Sequence, residues 1–302
     1  MNRRQFIAAA SAGAAAVNAV AKQLHAARAD APLVDTHLHC FAGNNDARFP
    51  YHERAPYRPD EPVTPEDLLK CMDGAGVDFA VVVHPETYQD DHRYLEHCLA
   101  VGGKRLKGTL LLFADRPDSV EAMPNLAKRL NVVAVRVHAY APDRLPPFGK
   151  PELRKLWKQA TDLGLAVQLH FEPRWAPGFE PLIKEFRDTR VIIDHLGRPL
   201  QGTPEEHVVV VAWSRFPNTI MKMSSIPLTR TYPHRDVQPV IKQLTEAYGA
   251  DRMVFGGGFG TGSTAASYRA AFDRARGLLA HLSSAEQAKI LGGNAVRMFG
   301  FA

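Results

Sequence analysis

The sequence predicts an α/β protein built as a single (β/α)8 barrel with one extra helix at its C-terminal end. Eight short apolar runs, most of them rich in Val and Ile, alternate with longer amphipathic segments along residues 30–302. Most runs are too short for helices, and their composition is typical of buried parallel strands. Eight such units suit one barrel better than two domains. A doubly wound sheet is the alternative, but no G-x-G-x-x-G motif follows the first run.

The predicted strands recur along the whole domain and are separated by helical segments. The strands are Leu33–Leu38, Phe79–His84, Leu106–Phe113, Val132–Val137, Leu165–Leu169, Val191–Ile193, Thr219–Met223 and Met253–Phe255. The helices include Pro65–Ala75, Pro151–Leu163, Asp236–Tyr248, Ala265–Leu282 and the extra helix Ser284–Phe301. Thr64 and Gly76 supply start and stop signals for the first helix. The segment 41–64 is long, proline-rich and aromatic, which predicts a lid over the barrel.

Residues 1–29 differ from the rest of the chain and predict an export signal. Arg3 and Arg4 open the segment, an alanine-rich stretch follows, and Ala27-Arg28-Ala29 supplies the small residues of a cleavage site. Paired arginines at this place are typical of twin-arginine export from bacteria. We therefore expect the mature domain, residues 30–302, in the periplasm or outside the cell. An amphipathic helix that stays attached is the alternative.

The net charge of +5 comes largely from this segment. It holds four basic residues and no acidic one, so 33 basic and 32 acidic residues remain in the mature domain. This balance gives no support for a nucleic-acid partner. No run of 18 or more apolar residues follows residue 30, so we expect no membrane-spanning helix there. The three cysteines, Cys40, Cys71 and Cys98, match no zinc module, and buried free thiols are the simplest interpretation. A disulfide between one pair in an oxidising periplasm is the alternative.

Four histidines stand at the C-terminal ends of predicted strands, where active sites of such barrels lie. His37 and His39 share one face of the first strand because side chains alternate along a strand. His170 ends the fifth strand and His195 ends the sixth. Imidazoles that converge at one end of a barrel predict a metal site or an acid–base centre.

Strand four carries Arg136 and His138 on one face. The planar guanidinium of an arginine can hold a carboxylate through two parallel hydrogen bonds. We therefore predict that Arg136 and His138 bind the substrate. An ion pair between Arg136 and a neighbouring acid is the alternative.

These motifs resemble the amidohydrolase superfamily. The resemblance rests on D-x-H-x-H in strand one, a histidine ending strand five, and D-H-x-G-x-P in strand six. Within that superfamily, the motifs resemble most the amidohydrolase-related branch, which holds sugar lactonases and 2-pyrone-4,6-dicarboxylate lactonases. The resemblance covers nearly all of residues 30–302. It implies a hydrolase that opens a small carboxylated lactone or ester with an activated water.

The resemblance also implies roles for individual residues. His37, His39 and His170 would hold a divalent metal or polarise the substrate carbonyl, and His195 would be a supporting or catalytic group. Members of the branch use one divalent metal or none. Imidazole ligands make zinc the expected ion. Strand four offers no lysine for carbamylation, so a binuclear centre is not expected.

One position departs from the family pattern. Members usually end strand eight with Gly-Ser-Asp-Trp-Pro, and the aspartate activates the attacking water. This chain has three glycines there, and Gly258 stands where the aspartate is expected. Glu172, which shares a face with His170, is our first candidate for a substitute catalytic base, and Glu86 is the second. The alternatives are a decarboxylase-like enzyme, a metal-activated water acting alone, and a binding protein that has lost catalysis.

Overall fold

The computed structural model describes residues 31–226 and 236–302, which contain one eight-stranded sheet in the order β1 to β8. Every neighbouring pair of strands is parallel. The strands are Val34–Leu38 (β1), Phe79–Val83 (β2), Leu106–Leu111 (β3), Val132–Ala139 (β4), Ala166–Phe171 (β5), Val191–Ile193 (β6), Thr219–Met223 (β7) and Met253–Phe255 (β8). All eight predicted strands are confirmed, with ends shifted by one or two residues at most.

Helices alternate with the strands, as a (β/α)8 barrel requires. They are Pro65–Ala75 (α1), Arg93–Gly102 (α2), Pro117–Glu121 (α3), Met123–Arg129 (α4), Pro151–Asp162 (α5), Glu180–Glu185 (α6), Pro204–Ala212 (α7), Gln238–Tyr248 (α8), Ala265–Leu278 (α9), Ser284–Ala288 (α10) and Asn294–Phe299 (α11). The Thr64 side chain caps α1 as predicted, accepting from the amide of Asp67. The predicted C-terminal helix is present, with a π-helical turn at Lys289–Gly293 between α10 and α11.

Side chains, rather than a backbone ladder, link β8 to β1 within the described residues. The Thr36 hydroxyl donates to the carbonyl of Phe255 at 2.8 Å. The buried Asp35 carboxylate accepts from the amides of Gly257 and Gly258 at 2.7 and 3.0 Å. Polar side chains of the first strand therefore close the barrel at this seam, and the histidines of the same strand stand beside it.

Three sequence predictions concern features other than the barrel strands: the export signal, membrane-spanning helices and the cysteines. The predicted export signal, residues 1–29, lies outside the described residues and stays a prediction. In the described part of the chain, no helix combines the length and the apolar character needed to cross a membrane. Cys40, Cys71 and Cys98 are buried and free, as expected.

Candidate active site

A cavity of 480 Å³ opens at the C-terminal ends of the strands. Phe41 and Tyr57 contribute to its wall, so part of the predicted lid segment does border it. Its polar lining includes five histidines and two arginines: His37, His39, His138, His170, His195, Arg136 and Arg198. The fold thus brings together every predicted site residue except Glu172.

The carboxylate of Asp194 is the electrostatic centre beneath this cavity. Its Oδ2 accepts from Nε of Arg136 at 2.9 Å and from the Gln168 amide at 3.0 Å. Its Oδ1 lies 3.3 Å from Nζ of Lys222 and 3.4 Å from Nδ1 of His37. Burial opposes ionisation, but the charges of Lys222 and Arg136 hold the pKa of Asp194 well below its usual range. Asp194 is therefore an anion shared by two buried cations.

This pairing determines what Arg136 can do. Its side chain is only 4% exposed, and Nε and Nη2 both contact Asp194. The structure thus shows the ion pair that the sequence left open as the alternative to a substrate contact. Arg136 still lines the cavity, so its predicted role in substrate binding stays a prediction.

Lys222 on β7 belongs to the same centre, and the sequence analysis missed it. Its side chain is 1% exposed and donates to the carbonyl of Thr36 at 3.0 Å. Burial lowers the pKa of Lys222, while the neighbouring Asp194 raises it. A lysine inside the otherwise apolar strand β7 was the available signal, because buried lysines are almost always paired.

The cavity histidines are neutral near pH 7. Burial lowers the pKa of His39 to about 4 and holds those of His37, His170 and His195 well below the ordinary value. Nδ1 of His39 donates to the carbonyl of Val83 at 2.7 Å, which leaves Nε2 as the bare nitrogen. Neutral imidazoles can accept a proton or ligate a metal.

In the part of the chain that the structure describes, three side chains lie close enough together to bind one metal ion. They are His37, Asp194 and His195, whose donor atoms all lie within 4.8 Å of one another. Nδ1 of His37 and Oδ1 of Asp194 are buried without a hydrogen-bond partner. Two imidazoles and a carboxylate fit a divalent cation, although Lys222 would compete for Asp194.

This group differs from the ligand set that the resemblance implied, His37, His39 and His170. Only His37 is common to both. His170 has its Nε2 in contact with the Arg198 guanidinium, because the loop after β6 folds back over the end of β5. The compact donor group contains Asp194 and His195, which follow β6, where the predicted set has His39 and His170. The predicted ligand set stays a prediction.

That loop has an uncommon backbone. Residues 195–198 all have positive φ, and His195, Leu196 and Arg198 do so at 57°, 58° and 54°. Non-glycine residues adopt this region at a cost, and such residues cluster at functional sites. The turn places the Arg198 guanidinium 4.6 Å from the ring centroid of Tyr140 and against His170.

Arg198 is a cation of the cavity that the sequence analysis did not single out. Its recorded partners are His170, Gln201 and the Tyr140 ring, none of them acidic. No carboxylate of residues 31–226 or 236–302 lies within ion-pair distance of it. Arg198 therefore carries a positive charge toward the cavity that no described ion pair neutralises.

Gly258 does not face the cavity, although the resemblance implied that its position would. A Cβ built on Gly258 would lie 2.7 Å from the ring of Tyr268 on α9, so a side chain there points away from the cavity. Gly257, with φ of +93°, and Gly260 line it instead. None of these glycines carries a carboxylate, so the end of β8 still lacks the family's base.

The two substitute bases suggested by the sequence have different positions. Glu172 follows the last residue of β5, where the chain turns and the strand alternation ends, and it pairs with Arg174 at 2.5 Å outside the cavity. Glu86 lines the cavity. Its Oε2 lies 3.4 Å from Nδ1 of His138, and its Oε1 accepts from Arg144 at 2.7 Å.

A parallel barrel with imidazoles and a buried carboxylate at the C-terminal ends of its strands defines a class of metal-assisted or acid–base enzymes. The chain belongs to the Amidohydrolase family, whose sequence model matches residues 34–301.

Individual proteins show the same relationship. The chain is 32% identical over 168 residues to 4-sulfomuconolactone hydrolase of Rhizobium radiobacter, covering 54% of this chain and 52% of that one. It is 26% identical over 211 residues to L-fucono-1,5-lactonase of Burkholderia ambifaria, covering 64% and 68%. The chain thus spans about half the length of the first relative. A solved structure titled putative 2-pyrone-4,6-dicarboxylic acid hydrolase, from Pseudomonas putida, shares the fold with a TM-score of 0.72 and 22% identity, over 90% of this chain and 98% of that one.

Proposed function

We propose that the protein is a hydrolase that opens a small carboxylated lactone by attack of water. The observation that carries this proposal is the unneutralised guanidinium of Arg198 in a cavity lined by neutral imidazoles. Such a cation favours an anionic ligand and holds it best through a carboxylate. The volume of 480 Å³ suits a small substrate. Both curated relatives are named as enzymes of lactones, which supports the same substrate class here.

Different residues of the cavity have different roles in such a reaction. Arg198 holds the carboxylate and thereby fixes the lactone ring over the imidazoles. Arg136 keeps positive charge close to the cavity, where negative charge grows on the carbonyl oxygen in the transition state. A divalent cation bound by His37, Asp194 and His195 would supply Lewis-acid polarisation of the carbonyl.

The first test compares carboxylated and uncarboxylated lactones with the wild type and Arg198→Met. We expect wild type to hydrolyse the carboxylated lactone, and Arg198→Met to lose about 10- to 100-fold in kcat/KM, the value of one charge-assisted contact. The uncarboxylated lactone should be little affected by this substitution. Initial rates of acid release in a pH-stat measure both effects.

The control is Arg187→Met, which removes an exposed arginine outside the cavity and should leave both rates unchanged. An equal loss on both lactones would contradict the anchoring role of Arg198. Release of carbon dioxide would favour the decarboxylase-like alternative. Stoichiometric binding without turnover would favour the binding protein.

We propose zinc as the divalent ion, because its ligand preference matches two imidazoles and a carboxylate. Metal-free protein titrated with zinc in a calorimeter should bind one ion per chain. His37→Gln should lose this site, whereas His281→Gln, which alters an exposed histidine, should keep it. A wild type that binds no zinc would remove the metal from the proposal.

A further inference from the structure

The attacking water must lose a proton, and the end of β8 offers no group to take it. Resting on the proposed lactone hydrolysis, we propose that His138, held by Glu86, is the general base of this site. Nδ1 of His138 lies 3.4 Å from Oε2 of Glu86, and both residues line the reaction cavity. His138 lies on β4 and Glu86 lies in the turn after β2. The proposed base therefore comes from a different part of the barrel than the strand-eight aspartate of the family.

His138 has the features that a general base needs. It lies on β4, its side chain is 8% exposed, and its ring centroid lies 4.8 Å from that of His170. Neither ring nitrogen has a hydrogen-bond partner among the described residues, and Oε2 of Glu86 lies at ion-pair distance from Nδ1. We place the ring hydrogen on Nδ1, facing Glu86, which leaves the lone pair of Nε2 for a water in the cavity.

Glu86 is placed to stabilise the imidazolium that forms when His138 accepts a proton. Burial opposes its ionisation, but His138 and Arg144 together lower the pKa of Glu86. Arg144 contacts the other carboxylate oxygen at 2.7 Å and is 39% exposed, so water screens part of its charge. A carboxylate behind an imidazole is the arrangement by which serine hydrolases hold their catalytic histidine in the working tautomer.

Of the other four imidazoles of the cavity, three have no carboxylate partner in the part of the chain that the structure describes, and the fourth, His37, faces a carboxylate that two cations already share. His39 donates to a backbone carbonyl, and His195 contacts the hydroxyl of a serine, neither of which carries a full negative charge. His170 contacts the guanidinium of Arg198, which opposes a second positive charge. Burial and the charge of Arg136 lower the pKa of His138 as well, whereas Glu86 raises it. His138 is therefore the cavity imidazole that faces a carboxylate not already shared by two buried cations.

The proposed step balances as follows. The oxygen of water forms a bond to the lactone carbonyl carbon while one of its protons passes to Nε2 of His138, and the carbonyl electron pair moves onto oxygen. When the carbonyl re-forms, the ring C–O bond breaks. The proton on Nε2 then passes to the departing alkoxide, which leaves a hydroxy acid and a neutral His138.

The test uses His138→Ala and Glu86→Gln in the full chain, with a lactone that wild type hydrolyses. His138→Ala should lower kcat by about 10²- to 10⁴-fold with little change in KM, and added imidazole should restore part of the rate. Glu86→Gln should also lower kcat, but imidazole should not rescue it, because the histidine is still present. A purely structural role for His138 predicts no rescue.

Matched controls separate chemistry from folding. His281→Ala removes an exposed histidine, and Glu185→Gln breaks an exposed ion pair between Glu185 on α6 and Arg154 on α5; both should keep the wild-type kcat. Circular dichroism checks that each variant is folded. A folded His138→Ala with wild-type kcat, or with a loss that imidazole cannot restore, would overturn this proposal alone. A wild type that opens no lactone would remove both the proposed function and this inference.

Discussion

Asp194→Asn should lower the free energy of unfolding by about 3–5 kcal/mol, the cost of breaking a buried ion pair by removing one partner. The substitution keeps the size of the side chain but leaves the buried cations Arg136 and Lys222 without the carboxylate they share. Their exposed fractions of 4% and 1% mean that water cannot replace it. Urea denaturation followed by circular dichroism measures the loss.

Two variants show whether this loss comes from uncompensated charge. Asp162→Asn breaks an exposed pair with Lys158, 2.7 Å apart and 57% exposed on both sides, and should cost less than about 0.5 kcal/mol. The double variant Asp194→Asn with Lys222→Met should be more stable than Asp194→Asn alone, because one unpaired cation is gone. Equal stability of the single and double variants would contradict the charge argument.

Gly256→Ala should destabilise the barrel by about 1–3 kcal/mol, the usual cost of overpacking, and should also reduce hydrolysis. A Cβ at this position would lie 2.5 Å from the amide nitrogen of His37 and 3.0 Å from the carbonyl carbon of Thr36. Both are backbone atoms of β1, so they cannot rotate away. The displacement would reach His37 directly. Thermal unfolding and initial rates measure the two effects.

Gly260→Ala is the matched control in the same loop, since a Cβ there would meet no atom within 4 Å. Because Gly260 also lines the cavity, this variant is a control for stability alone, and it should change the stability little. A Gly256→Ala variant as stable as Gly260→Ala and as active as wild type would show that β1 and β8 can separate at this point without cost.

The fold was predictable because each strand is a local pattern. A short run of Val and Ile between amphipathic segments marks a buried parallel strand wherever it occurs, and β2 and β6 are examples. The positions of His37, His39, His170 and His195 followed from strand alternation and from the end of the barrel at which strands finish. These inferences needed no knowledge of which strands touch.

The rest of the site depended on contacts between distant parts of the chain. Arg136 and Asp194 are 58 residues apart, so the sequence could not decide between an ion pair and a substrate contact. The left-handed turn that carries Arg198 has a glycine only at position 197, so the sequence did not indicate positive φ angles at the residues around it. Glu172 was misplaced because alternation was extended one residue beyond the last strand position, where the chain had already turned.

The closure of the barrel by Asp35 and Thr36 changes how the first-strand motif can be interpreted in other sequences. These residues join β1 to the end of β8 whether or not any reaction takes place. Selection for folding alone would keep them in a descendant that had lost catalysis. The Asp-Thr pair of this segment is therefore a mark of the architecture. The evidence for a working enzyme has to come from groups that line the cavity, such as His138 and Glu86.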